Sequence, residues 1–348
     1  DPEMSRGLGD VYKRQIIWKV RKTKMNKFFA KLLTCMIFDK QRRTDKRKEL
    51  MQGYKIYHPD DIKLIMTLLV KDEADIIETN IRFHKAMGVD GFIVTNNNST
   101  DDTLEVLSRL KNEGLVLEII DESDPTYQQE IWVDRMIKIA KKKYHATWVI
   151  NADADEFYYS KDLNLKESIV KFPRLNAIKV ESMFSFPEDI DNFFENPYFN
   201  TNPIKDFEYS YFYGGGNEYL KYFSINSVRT CPKVLHSTAG YIMNVKGNHS
   251  VKMKNLCLGN NVDIVLYHYH IPNYKRYEAK ARRWAESAKY LTKGENYLTN
   301  IVKLLNEGRL RDFYNLYYGP EMKEMLISKG VISKDYSVYN FLKYKSIM

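Results

Sequence analysis

The sequence predicts an α/β protein whose mostly parallel sheet is flanked by helices. Three observations predict it. Apolar runs of strand length alternate with segments of helical period from residue 58 onward, the connections between them are short, and glycines fall where helices should close. Strands joined by helical crossovers run parallel, and such a sheet is covered by helices on its faces. An amphipathic N-terminal helix and a helical C-terminal cap complete the expectation. The boundaries are a leader at 1–24, a basic segment at 25–57, the sheet domain at 58–270 and a helical extension at 271–348.

The leader "DPEMSRGLGDVYKRQ" has neither helical nor strand period, so residues 1–24 are expected to be non-native or disordered, with Met25 a candidate initiator. From Met25, Phe28, Phe29, Leu32, Leu33, Met36 and Ile37 recur at helical spacing among lysines and arginines. A basic amphipathic helix of this kind lies on an anionic lipid surface, which residues 25–50 are expected to do; packing on the sheet domain with a solvated basic rim is the alternative.

"IKLIMTLLV" (62–70) reads as a buried first strand, and the helix after it carries Ile76, Ile77, Ile81 and Phe83 and closes at Gly88. "GFIVTN" (91–96) is the second strand. "STDDTLEVLSRLKNEG" opens on a Ser/Thr–Asp cap and ends at Gly114, as a helix should. "LVLEII" (115–120), the helical "QQEIWVDRMIKIAKKK" and "ATWVIN" (146–151) follow. "NAIKVESMFSF" (176–186) and "VDIVLYHYH" (262–270) read as strands, and 187–260, rich in Asn, Gly, Pro and Tyr, as loops and short strands. From "NYKRYEAKARRWAESAKYL" (273–291) the chain reads as helical.

Composition narrows the function. The net charge of +9 is concentrated between Trp18 and Lys55, where Lys and Arg far outnumber Asp39, Asp45 and Glu49. No aromatic-interleaved basic platform of the kind single-strand binders use accompanies it, so no nucleic acid partner is expected. Cys35, Cys231 and Cys257 are odd in number and lack CxxC spacing, which argues against a disulfide framework or zinc site and for a reducing compartment. No apolar run reaches the roughly 20 residues of a membrane span.

Ligands of parallel sheets bind beyond the carboxyl ends of the strands. Three polar groups fall there: Asp72 and Glu73 after strand one, Asn96 and Asn97 after strand two, and Asp153, Asp155 and Glu156 after strand four. Taken alone, the last triplet also fits acids that cap a following element or face water. An EF-hand loop is disfavoured because Glu156 stands where the sharp turn needs glycine. Delivered by an apolar strand to a ligand-binding rim, two carboxylates two residues apart suit a hard divalent cation, Mn²⁺ or Mg²⁺. If the chain stayed extended, Asp153 and Asp155 would share a face.

"LLVKDEADIIETNIRFHKAMGVDGFIVTNNNSTDDT" together with "WVINADADEF" resembles the family-2-like bacterial glycosyltransferases of the GT-A fold, in the branch whose fourth strand ends in D-x-D-E-F. The likeness covers residues 60–160, with a weaker echo in "YHYHIPNYKRYEAKARR" (267–283) and in "NSVRTCPKV" (226–234). It implies a metal-dependent, inverting transfer of sugar from a nucleotide-diphosphate donor, such as a UDP-sugar, to a hydroxyl of a surface-glycan acceptor of lipopolysaccharide or capsule type. Asp153 and Asp155 match its metal and diphosphate motif. Asp72, Glu73, Asn96 and Asn97 match its nucleoside-binding strand ends, although Asp72 stands where the family usually has Asn and Asn96 where it often has an acid.

A late histidine completing the metal shell fits that fold. Of His268 and His270, at most one is expected to face the site, with His270 preferred. Lys280 and Arg229 are candidates for the diphosphate, with a solvated basic face as the alternative. Glu181, Asp189 and His249 are candidates, by location, for the base that takes the acceptor's proton. A sugar nucleotidyltransferase is the rival enzyme, but its Gly-rich basic loop after strand one is replaced here by "KDEADII". The non-enzymatic rival is a glycan- or membrane-binding protein that has lost catalysis. A lipid-carried acceptor would place the protein in the cytoplasm, peripheral on the inner face of the cytoplasmic membrane.

Overall fold

The computed structural model describes residue 42 and residues 58–124, 128–202, 232–288 and 297–348. The leader, nearly all of the basic segment and Arg229 lie outside the described residues. Among the described residues no helix is long and apolar enough to cross a membrane.

Four strands in the first half are parallel neighbours: β1 (Leu64–Val70), β2 (Gly91–Asn97), β3 (Val116–Glu122) and β4 (Trp148–Ala152). Helices α1 (Ile77–Ala86), α2 (Thr103–Asn112) and α3 (Gln129–Lys142) make the crossovers. β1 and β4 are almost wholly buried, which is why their residues read as continuous apolar runs rather than as alternation. Ile77, Ile81 and Phe83 of α1 and Leu107 and Leu110 of α2 join one core on one face of the sheet. Val133, Met136, Ile137 and Ala140 of α3 build a second core with Ile65, Ile93 and Val149 on the other.

Beyond β4 the chain departs from simple alternation. Strand four ends at Ala152, the acidic residues make a turn, and β5 (Glu156–Ser160) leaves the central sheet, followed by the short helix α4 (Leu165–Val170). The expected strand at 176–186 breaks at Glu181 into β6 (Ala177–Val180) and β7 (Ser182–Phe184). A two-residue β8 (Tyr198–Phe199) follows, and 232–260 contains β9 (Lys233–Ser237), β10 (Tyr241–Asn244), β11 (Val251–Met253) and β12 (Leu258–Asn260). β9 inserts antiparallel between β4 and β6, giving a seven-stranded order β12-β6-β9-β4-β1-β2-β3. β13 (Ile264–His268) forms a separate three-stranded sheet, antiparallel to β5 and parallel to β7.

The C-terminal region is helical as expected: α5 (Tyr274–Ala288), α6 (Tyr297–Asn306), α7 (Leu310–Tyr318), α8 (Pro320–Ser328) and, after β14 (Ser333–Lys334), α9 (Ser337–Tyr344). Tyr277, Phe313, Tyr317 and Leu326 pack there with Phe184 and Phe186 from the first half. Phe341 and Leu342 of α9 return to the main core beside Phe83 and Phe157. The extension is therefore built into the sheet domain, and α5 crosses the rim where β1 and β4 end.

Candidate active site

The acids after β4 do not continue the strand. Asp153, Ala154 and Asp155 form a turn in which Glu156 Oε2 accepts from the Asp153 N–H at 3.2 Å. This corrects the expectation of a shared face. A turn in place of an extended segment sends the two aspartates to different surroundings. The Asp153 side chain is 37% exposed and lies 3.5 Å from Lys233 Nζ, whereas Asp155 is buried.

Asp155 sits among three basic side chains. Lys280 Nζ donates to its Oδ2 at 2.5 Å and to the His270 carbonyl at 2.8 Å. Its Oδ1 is buried, lies 3.2 Å from His268 Nε2, and is without a hydrogen bond of ordinary geometry. Burial acts to raise this carboxyl, but Lys280 and His268 outweigh it and hold the group well below the ordinary aspartate range. Burial, reinforced by the charge of Lys280, pushes His270 well below the usual histidine range, so its imidazole is neutral. A ligand atom each from Asp155, His268 and His270 all lie within 4.8 Å of one another.

Both late histidines therefore reach the site, where only one was expected. Side chains two residues apart on an extended chain share a face, so strand geometry itself allows both. β13 ends at His268, and His270 lies two residues on. His268 pairs across the ladder with Glu156, and its ring lies 5.1 Å from that of His270.

Glu156 is fully buried in β5 and lies 2.9 Å from Lys233 Nζ. Burial raises its carboxyl above the ordinary glutamate value, with Lys233 opposing. Lys233 comes from β9, which the sequence marked only through the weak echo "NSVRTCPKV" (226–234), and it holds Glu156 and Asp153 together.

At the end of β1, Asp72 takes a left-handed backbone conformation (φ 53°) and its Oδ1 accepts from the Thr100 N–H at 2.7 Å. Glu73 is paired with Arg276, which also donates to Asp75 at 3.1 Å, and Arg283 donates to the Asp72 carbonyl at 2.9 Å. Burial raises Glu73 above the ordinary glutamate value against the pull of Arg276 and Lys280. At the end of β2, Asn96 donates to Asp121 at 3.0 Å, and Asn97 pairs in register with Glu122. Arg276, Lys280 and Arg283 recur at i, i+4 and i+7 of α5, which puts them on one helix face over the ends of β1 and β4. Lys280 is among the candidates the sequence offers and Arg276 is not, although the i, i+4, i+7 spacing is a signal for it. A cleft of ≈ 820 Å³ beside them is lined by Asp72, Asp75, Asp101, Arg276 and Arg283 among others.

The three base candidates separate clearly. Asp189 is occupied: it accepts from the Tyr274 N–H at 2.8 Å, from Arg311 at 3.1 Å and from the Tyr314 hydroxyl at 3.2 Å. Glu181 is exposed at the break between β6 and β7, and its backbone carbonyl accepts from Leu266. His249 Nδ1 donates to the Pro232 carbonyl at 3.0 Å, which leaves Nε2 as the acceptor nitrogen. Burial lowers its pKa, and Lys233, Asp153 and His268 are close enough to act on it.

The residues at Asp155 fit a divalent cation. Asp155 Oδ1 is an oxygen donor without a committed partner, a neutral imidazole is the ligating form of histidine, and imidazole with carboxylate suits Mn²⁺.

The model of glycosyltransferase family 92 matches residues 66–303. No curated protein matches the sequence. Among solved structures, similar chains include S. aureus TarS 1–349 in complex with UDP-GlcNAc, at 10% identity and a TM-score of 0.40, covering 82% of this chain and 80% of that one. The mannosyltransferase PcManGT from Pyrobaculum calidifontis, in complex with GDP-Man and Mn²⁺, is similar at 14% identity and a TM-score of 0.38, covering 92% and 88%.

Proposed function

The chain belongs to glycosyltransferase family 92, and from that premise we propose that it moves a sugar from a nucleotide-diphosphate donor, of UDP type, to a hydroxyl of a bacterial surface glycan. The observation that carries this reading is the meeting of Asp155, His268 and His270 within 4.8 Å of one another at the carboxyl end of β4, with Lys280 beside them. A cation held by Asp155 and a histidine would stabilise the negative charge that develops on the diphosphate as the sugar leaves. The basic face of α5 supports the same task, with Lys280 and Arg283 placed to receive an anionic group near the cleft. Asp72, Glu73, Asn96 and Asn97 line the strand ends where the nucleoside would lie.

His249 is the base this reading prefers. Its Nε2 is free to accept a proton while the Pro232 carbonyl holds the Nδ1–H, which fixes the tautomer and the ring. Such a group contributes about 10²–10⁴-fold in rate. Transfer with inversion, an acceptor of lipopolysaccharide or capsule type, and peripheral attachment to the inner face of the cytoplasmic membrane through residues 25–50 complete the proposal. The last rests on the run of lysines and arginines among Phe28, Phe29, Leu32 and Leu33.

A panel of nucleotide sugars tested by thermal shift, with and without Mn²⁺, checks the central claim. At least one donor is expected to raise the melting temperature only when metal is present, and Asp155→Ala is expected to abolish that rise. No metal-dependent donor, or an unaltered response in Asp155→Ala, would overturn it.

A further inference from the structure

The acidic turn is held from behind by a side chain that belongs to none of the polar groups at the strand ends. Asn80 lies in the middle of α1 and is fully buried. Its Nδ2 donates to the Ala154 carbonyl and to the Glu156 carbonyl, each at 2.8 Å. The carbonyl between them, that of Asp155, accepts from the Tyr269 N–H at 2.8 Å. Three consecutive carbonyls of the turn are thus pinned, two of them by one amide group.

The orientation of that amide is forced. Carbonyl oxygens only accept, so both amide protons of Asn80 are committed to the turn and its Oδ1 must find a donor. His84, one helical turn on and also buried, lies with Nδ1 3.0 Å from Asn80 Oδ1 and 2.8 Å from the Asn80 carbonyl. Its Nε2 accepts from the Tyr158 N–H at 2.9 Å. The imidazole proton is therefore on Nδ1 and points at Asn80. The chain Tyr158 N–H to His84 to Asn80 to the turn closes on β5, the strand that follows the turn.

We propose that Asn80, oriented by His84, is a positioning residue for the active site: it fixes the backbone on both sides of Asp155 and so sets the direction of that carboxylate toward His268 and His270. The inference deepens the proposed function and rests on its assignment of a divalent cation to Asp155. A buried asparagine whose two amide protons are both spent on backbone carbonyls flanking one carboxylate restricts that carboxylate more than apolar packing would, because a hydrogen bond from an amide has direction. Groups that orient a ligand in this way typically affect metal affinity by about 10–100-fold.

The test is the Mn²⁺ affinity of the full chain, measured by calorimetry without donor or acceptor, in wild type, Asn80→Ala and His84→Gln. Leu107→Ala, a buried change on α2, serves as the control for stability loss alone. Asn80→Ala is expected to weaken Mn²⁺ binding about tenfold or more, with a smaller loss in His84→Gln and an unchanged affinity in Leu107→Ala. If Asn80→Ala does not fold, His84→Gln carries the test. Affinity equal to wild type in whichever of the two variants folds would overturn the clamp and leave the metal assignment standing. A wild type that binds no Mn²⁺ would overturn the metal assignment and, with it, the role given to Asn80.

Discussion

Lys280 Nζ lies 2.5 Å from Asp155 Oδ2, so the buried carboxylate at the centre of the site is neutralised by a side chain from the C-terminal region. Removing one partner of a buried pair costs about 3–5 kcal/mol, because the other charge stays desolvated. Lys280→Met is therefore expected to lose about that much stability without metal, and to recover part of it when Mn²⁺ takes over the neutralising role. Urea unfolding with and without Mn²⁺ measures both. The sign with pH follows from Asp155, whose carboxyl is held below its ordinary value of 3.8. Its contribution is present above that value and is lost as pH falls through the depressed one. A Lys280→Met protein insensitive to Mn²⁺ would refute the shared role.

Lys233 bridges Asp153 and Glu156, and of the two only Glu156 is fully buried. Lys233→Met leaves that carboxylate without its cation and is expected to cost about 3–5 kcal/mol. Adding Glu156→Gln removes the stranded charge, so the double variant should be more stable than Lys233→Met by about 2 kcal/mol or more. Losses that simply add would show that the two residues do not act as a pair.

Of these two lysines the sequence pointed to Lys280, and Lys233 marks where reading it stopped short. The parallel strands and the rim were legible because burial on both faces writes an apolar run, and because the polar residues at strand ends are local in sequence. Lys233 was not, since β9 enters the sheet between β4 and β6 by pairing with residues far away along the chain. The meeting of His268 with His270 was legible in the sequence, because side chains two residues apart on an extended chain share a face, and expecting only one of them set that periodicity aside. Asn80 gave no signal, because a polar residue in the middle of an amphipathic helix reads as solvent-facing. Arg276 did leave one, in its spacing from Lys280 and Arg283.

Stability should fall as pH drops from 7 to 5, and two buried histidines give the reason. Burial pushes His84 down to about 3 and His236 down to about 4, from an ordinary value of 6.5. Between those values the unfolded chain binds protons that the native protein refuses. The stabilisation is complete above 6.5 and is lost as pH falls toward the depressed values, at about 1.4 kcal/mol per histidine for each pH unit crossed. His270 and His249 are lowered as well and act in the same direction. Urea midpoints across this range should decline in wild type and decline less steeply in His236→Gln. A flat wild-type profile would contradict the burial of these rings in neutral form.

Phe157 follows Glu156 in β5, so its side chain lies on the opposite face of that strand. Its ring meets Phe83 at 5.2 Å, Phe194 at 5.3 Å and Tyr269 at 5.5 Å, all near edge-on, and is fully buried. Phe157→Ala would empty a space between α1, β5 and the residue after β13, and a cavity of that kind costs about 3–5 kcal/mol. Phe157→Leu should cost less, since it keeps most of the volume while losing the edge-to-face contacts. Neither change removes a charge or a hydrogen bond from Asp155, Lys280 or the histidines. The metal-dependent response to donor is therefore expected to survive in both variants at temperatures where they remain folded. Thermal melts with and without donor and Mn²⁺ separate the two effects, and a Phe157→Leu protein that folds fully but has lost the donor response would show that aromatic packing sets the geometry of the site.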